Sequence, residues 1–170
     1  MNTQLDLVKQ FHAGNKNWAG KGTLQYLPTI ESAFKKHHCQ TLLDYGCGKG
    51  HQYSVYHIHD SLGIPLSAVY QFDPGYEPAS QEPDWNSSFD CSVCLDVLQF
   101  CTDQQIDDIK QKLQKVTAKV CIVGIGMAPP KNLKKPYASL HPEDWWQQKF
   151  SNWAGSSELV LELQHNTLAS

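Results

Sequence analysis

LLDYGCGKG, residues 42–50, joins a short apolar run to an acid and three glycines. The run 41–45 reads as a buried strand. Gly46, Gly48 and Gly50 stand where the backbone must turn sharply and come close to a ligand. A dinucleotide-binding loop carries G-x-G-x-x-G and seats a pyrophosphate on the helix that follows. The spacing here is G-x-G-x-G, with Asp44 ahead of it. An acid at a strand end suits an ammonium, so an aminoacyl group is expected in place of a pyrophosphate.

The segments on either side extend the pattern. Residues 51–62 read as a helix closed by Gly63, with Pro65 beyond it. AVYQFD (68–73) reads as a second strand, and its terminal Asp73 is placed to accept hydrogen bonds from both hydroxyls of a ribose. Residues 76–88 are rich in Pro, Ser and acids and read as a loop. FDCSVCLDVLQF (89–100) opens as a third strand, buried on both faces. Thr102 and Gln105 form a capping-box pattern, and Ile106, Ile109, Leu113 and Val116 space out an amphipathic helix. KVCIVGIGM (119–127) reads as a fourth strand, 141–153 as a helix, and SELVLELQ (157–164) as a final edge strand. Ahead of the glycine loop, 3–12 and about 23–38 read as helices, with Pro28 in the first turn of the second. Alternation of strands and helices predicts an α/β fold with a mostly parallel sheet and helices on both faces. One domain is expected over 1–170, with N-terminal helices in 1–40 and the core in 41–170.

Bulk properties fit this class. The chain has 170 residues, 41% hydrophobic and 18% charged. Its net charge is -3, with 14 basic residues dispersed along it. No basic footprint marks a nucleic-acid partner. No run reaches the roughly 18 apolar residues of a membrane span, and the N-terminal stretch lacks a signal peptide's apolar centre. A cytoplasmic protein without a membrane partner is expected. Cys91 and Cys94 form C-x-x-C inside a strand, where side chains alternate faces, and no second ligand pair follows at zinc spacing. His57 and His59 are two apart, so one helix would not bring them to a common face. No metal site is expected.

These residues are similar to the class I S-adenosylmethionine-dependent methyltransferases. LLDYGCGKG resembles their first motif, YQFDP their second, and FDCSVCLDVLQF their fourth-strand motif. Small phage and bacterial methyltransferase-like proteins also resemble this chain in a tryptophan pair near the C-terminus, here Trp145 and Trp146. The resemblance covers roughly residues 15–150. It implies a three-layer Rossmann-like sandwich and S-adenosylmethionine as cofactor. By the same resemblance, Asp44, Gly46 and Gly48 line the methionine end, with Cys47 and Gly50 in the same loop. Asp73, followed by Pro74, holds the ribose, and Leu95 and Asp96 face the sulfonium and the substrate opening. The chain departs from the family in two places. Gln99-Phe100 replaces the Glu-His that follows the fourth strand, and only 15 residues separate Asp73 from Phe89, so the middle of the sheet is reduced. Asp84 and Trp85 are the residues available there to cover adenine.

The expected activity is methyl transfer to a small molecule, or to a protein side chain. The cofactor supplies the chemistry and the protein supplies alignment and a dry site. A base is needed only when the acceptor arrives protonated; His141 and Asp96 are the candidates. Trp145, Trp146 and Trp153 are candidates for an aromatic wall, and Lys131, Lys134 and Lys135 for an acidic substrate group. The alternatives are a module that binds the cofactor or its product without catalysis, and a nicotinamide-dependent oxidoreductase. The sequence does not specify an oligomeric state.

Overall fold

The computed structural model describes residues 3–14, 18–127 and 135–165. Five strands form one parallel sheet: β1 (Leu42–Tyr45), β2 (Val69–Phe72), β3 (Phe89–Leu95), β4 (Thr117–Gly126) and β5 (Glu158–Gln164). Their spatial order is β2-β1-β3-β4-β5, so β5 lies at an edge. The chain moves outward from β1 to β2, then crosses back to place β3 on the other side of β1. This reversal leaves a crevice at the C-terminal ends of β1 and β3, where open α/β sheets take their ligands.

Six α-helices accompany the sheet among the described residues: α1 (Gln4–His12), α2 (Leu27–His37), α3 (His51–Ser54), α4 (Ile58–Ser61), α5 (Asp103–Val116) and α6 (Glu143–Phe150). The strand pleat sends alternate side chains into two apolar clusters. Leu42, Cys91, Val93, Val120 and Ile122 pack with Ile30, Phe34, Tyr53 and Ile58 from α2, α3 and α4. Leu43, Cys94, Cys121, Val123 and Ile125 pack with Ile106, Leu113, Trp146 and Phe150 from α5 and α6. Cys91 and Cys94 therefore belong to opposite faces, and the six cysteines are free thiols.

The predicted strands and the capping box at Thr102 are present. Between Asp73 and Phe89 there is one 3-10 turn, Glu77–Ala79, and no strand or α-helix. Two helices differ from expectation. The segment 23–38 enters through a 3-10 turn, Lys21–Tyr26, before α2 begins with Pro28 in its first turn. The segment 51–62 is two short helices, broken where His57 takes a left-handed conformation, φ 50° and ψ 38°. No described helix is long and apolar enough to cross a membrane.

Gly124 of β4 fixes how the N-terminal segment meets the sheet. A Cβ there would stand 2.5 Å from Tyr26 Cε1 and 3.0 Å from Leu95 Cδ2. Tyr26 is fully buried and its ring has nowhere to retreat. Gly124→Ala is therefore expected to cost about 1–3 kcal/mol by overpacking, read as a lowered urea midpoint with an unchanged slope.

Candidate functional site

A cavity of about 720 Å³ opens at the crevice. Its floor is the glycine loop with the ends of β2 and β3, and its roof is α1 with the segment 18–25. Volumes of about 300–1,000 Å³ are usual for small-molecule and cofactor sites.

The glycine loop is built as its spacing suggests. Gly46, Gly48 and Gly50 have φ of 80°, 60° and 72°, all in the left-handed region. At Gly48 a Cβ would also run into the backbone carbonyl of Trp18, so a side chain is excluded twice over. The loop amides are all occupied inside the protein. Gly46 and Cys47 N–H donate to the Phe72 carbonyl at 2.6 and 3.2 Å, and Gly50 N–H to that of Cys47 at 3.3 Å. Lys49 and His51 N–H donate to the carbonyls of Trp18 and Ala19, both at 2.9 Å. Gly48 N–H donates to Asp73 Oδ2 at 2.9 Å. No amide from Gly46 to His51 is left to cradle a phosphate.

Asp73 stands at the end of β2, buried and lining the cavity. Oδ1 accepts from Gly75 N–H at 2.8 Å, and His12 Nε2 approaches Oδ2 at 3.5 Å. A carboxylate has about four acceptor positions. Two backbone donors aim this one and leave capacity for a ligand's hydroxyls. Pro74 lines the cavity beside it.

Asp44 takes another direction. It alternates with Leu43 and Tyr45 along β1, and so faces α3, where Oδ2 accepts from Tyr53 Oη at 2.7 Å and Gln52 Nε2 at 2.9 Å. It does not line the cavity, and neither does Gly50; Gly46, Cys47 and Gly48 do. Burial pushes the Asp44 carboxyl up from 3.8 to about 6, against the two hydrogen bonds that favour its charged form.

Leu95 and Asp96 line the opposite wall. Asp96 is a non-glycine residue at φ 56°, a strained conformation that tends to be kept where it positions a group. Its carboxylate accepts from Tyr26 Oη at 2.9 Å and Gln25 Nε2 at 2.8 Å. Burial raises its pKa, opposed by hydrogen bonds from Tyr26 and Gln99. Lys135 lines the same cavity, while Lys131 and Lys134 lie outside the described residues.

His141 is held elsewhere. Its Nε2 lies 2.8 Å from Asp103 Oδ1, and its ring stacks on Trp145 with centroids 3.6 Å apart. Trp146 is buried in the second cluster. Neither His141 nor the tryptophan pair lines the cavity. Trp85 packs against Tyr45 and Phe72 instead of lining it.

The residues missed from the sequence come from the N-terminus. Trp18 joins Phe11, His12 and Phe100 in one aromatic cluster, with centroids 4.4–4.9 Å from its ring. Gln4 Nε2 ties α1 down by donating to the carbonyls of Phe100 and Pro136 at 2.7 and 2.6 Å. The available signal was Trp18 itself, a large apolar residue inside an otherwise polar, glycine-rich stretch. Two buried polar atoms on cavity residues have no partner, His12 Nδ1 and Gln99 Oε1. Scans of protein-family models, curated proteins and solved structures find no match for this chain.

The raised carboxyl of Asp44 has a consequence for stability. The folded state holds this proton more tightly than the unfolded chain, so its contribution is full below pH 3.8 and is lost as pH rises through about 6. At 1.36 kcal/mol per pKa unit, the interval from 3.8 to about 6 corresponds to about 3 kcal/mol. Urea unfolding of the wild type and Asp44→Asn from pH 4 to 7 is expected to show the variant gaining on the wild type by about that much across the window.

Proposed function

We propose that the chain is an S-adenosylmethionine-dependent methyltransferase acting on a small acceptor. The observation that carries this reading is the pairing of Asp73, aimed into the cavity, with a glycine loop whose amides are all internally bonded. A dinucleotide needs free amides for its pyrophosphate, whereas a nucleoside with an aminoacyl tail needs an acceptor for its ribose and close backbone approach. The two apolar clusters on alternate strand residues support the three-layer reading of the fold.

The donor set suits this cofactor. Asp73 offers acceptors to the ribose hydroxyls, and Gly46, Cys47 and Gly48 offer close backbone along the methionine end. The Asp96 carboxyl and the unpartnered Gln99 Oε1 offer acceptors on the wall where the cofactor's ammonium and sulfonium charge would lie. When bound, the cofactor supplies an activated methyl group on its sulfonium. The protein's part is to orient the acceptor and exclude water, which the aromatic cluster over the cavity serves. Asp96 is the proton-holding group of this reading: it lines the cavity, and its raised pKa makes it a stronger base than an exposed aspartate. The net charge is -3 and the 14 basic residues are dispersed along the chain, which disfavours a nucleic-acid acceptor.

Calorimetry with S-adenosylmethionine, S-adenosylhomocysteine and NADH tests the reading. Micromolar binding of the first two and none of NADH is expected. Asp73→Ala is expected to weaken binding about 100-fold, the loss of about 3 kcal/mol of charged hydrogen bonds. NADH binding, or binding indifferent to Asp73→Ala, overturns the assignment. In a turnover screen, Asp96→Asn is expected to weaken cofactor binding less than Asp73→Ala does and to lose at least tenfold in kcat. Tight binding with no S-adenosylhomocysteine formed across acceptor classes selects the non-catalytic module instead.

A further inference from the structure

We propose that His57, His59 and Asp60 form a binding site for a divalent cation of the zinc class, beside the cavity and independent of its function. On one continuous helix, residues 57 and 59 would point to different sides. The break between α3 and α4 removes that obstacle. Val55 closes α3, and His57 turns left-handed before α4 begins. The two imidazoles then stand with centroids 6.0 Å apart. One ring nitrogen of each and one oxygen of Asp60 all lie within 4.8 Å of one another.

Three further observations favour a cation here. His59 is 8% exposed, and its Nδ1 is buried without a hydrogen-bond partner. Its Nε2 has only Asp60 Oδ1 at 3.4 Å, long for a hydrogen bond. A buried imidazole so poorly satisfied is costly, and metal ligation answers that cost. His57, not a glycine, holds φ 50°, an uncommon conformation for such a residue that carries a backbone cost. No lysine falls between Gly50 and Ile64 to repel a cation locally.

The donor set selects the ion. Two imidazoles and one carboxylate suit zinc and its neighbours, whereas magnesium and calcium prefer oxygen throughout. Zinc bonds of about 2.0–2.2 Å place tetrahedral donors about 3.4 Å apart. The exposed His57 and Asp60 would close by up to about 1.4 Å onto the buried His59, and solvent would take the fourth position. The preceding residue, Tyr56, lines the cavity. A cation on His57 would therefore fix the chain break at which Tyr56 stands.

Zinc chloride titration of the tag-free, chelator-treated full chain tests this, with cobalt chloride absorption as a second readout. One equivalent of zinc is expected to bind, and cobalt to give the intense visible bands of a four-coordinate site. His57→Asn keeps a residue tolerant of the left-handed backbone and removes the imidazole; it is expected to weaken zinc at least tenfold with an unchanged circular dichroism spectrum. Asp60→Asn is expected to weaken it several-fold. His37→Asn, at the separate His37–Glu158 pair, is expected to leave affinity unchanged. The proposal is overturned if the wild type takes up no zinc, if His57→Asn binds as the wild type does, or if His37→Asn abolishes binding.

Discussion

The hydrogen bond from Gly48 N–H to Asp73 joins the two features on which the cavity rests. It ties the turn after β1 to the end of β2, and so fixes both the path of the glycine loop and the direction of the acid. The carbonyls of Trp18 and Ala19 complete the arrangement from outside the sheet by taking the next amides of the loop. The loop is thus a scaffold with its donors already committed. What it offers a ligand is proximity of backbone and the remaining acceptor capacity of one carboxylate.

The N-terminal segment belongs to this same unit. Trp18 contributes its carbonyl to the loop and its ring to the aromatic cluster, while Tyr26 and Gln25 hold Asp96 on the far wall. One stretch of chain therefore sets both walls and the roof. Gly124 allows it to sit close to β4, because Tyr26 occupies the space a side chain would fill.

The strands were legible because their signal is local. Apolar runs ending in glycine or an acid gave β1 and β2, and the continuous run at 89–95 gave a strand buried on both faces. The capping box at Thr102 was equally local. The motif spacing points to Asp44 as a ligand group, but its direction depends on which face of β1 Tyr53 approaches, and spacing does not encode that. The break at His57 carries no proline or glycine, so periodicity alone made one helix of 51–62. The roof over the cavity was illegible for a related reason: α1 and the segment 18–25 reach it through contacts far apart in sequence, such as Gln4 with Pro136. His141 stands near the Trp145–Trp146 pair in sequence, yet Asp103 and Trp145 hold it away from the cavity.

The all-parallel pairing has a kinetic consequence. No two neighbouring strands are joined by a hairpin; Leu42 alone must find Val69 on one side and Cys91 on the other. Each pairing closes a long loop before it returns any stabilisation, which slows folding relative to helical or hairpin-rich chains of this size. The strand β1, between the edge strand β2 and the central β3, is short and is followed by glycines, so it cannot act as an independent nucleus. Its neighbours must arrive together, and the half-formed sheet meanwhile exposes edges that other chains can add to. Refolding of such a sheet is therefore sensitive to protein concentration, because association competes with completion of the pairing.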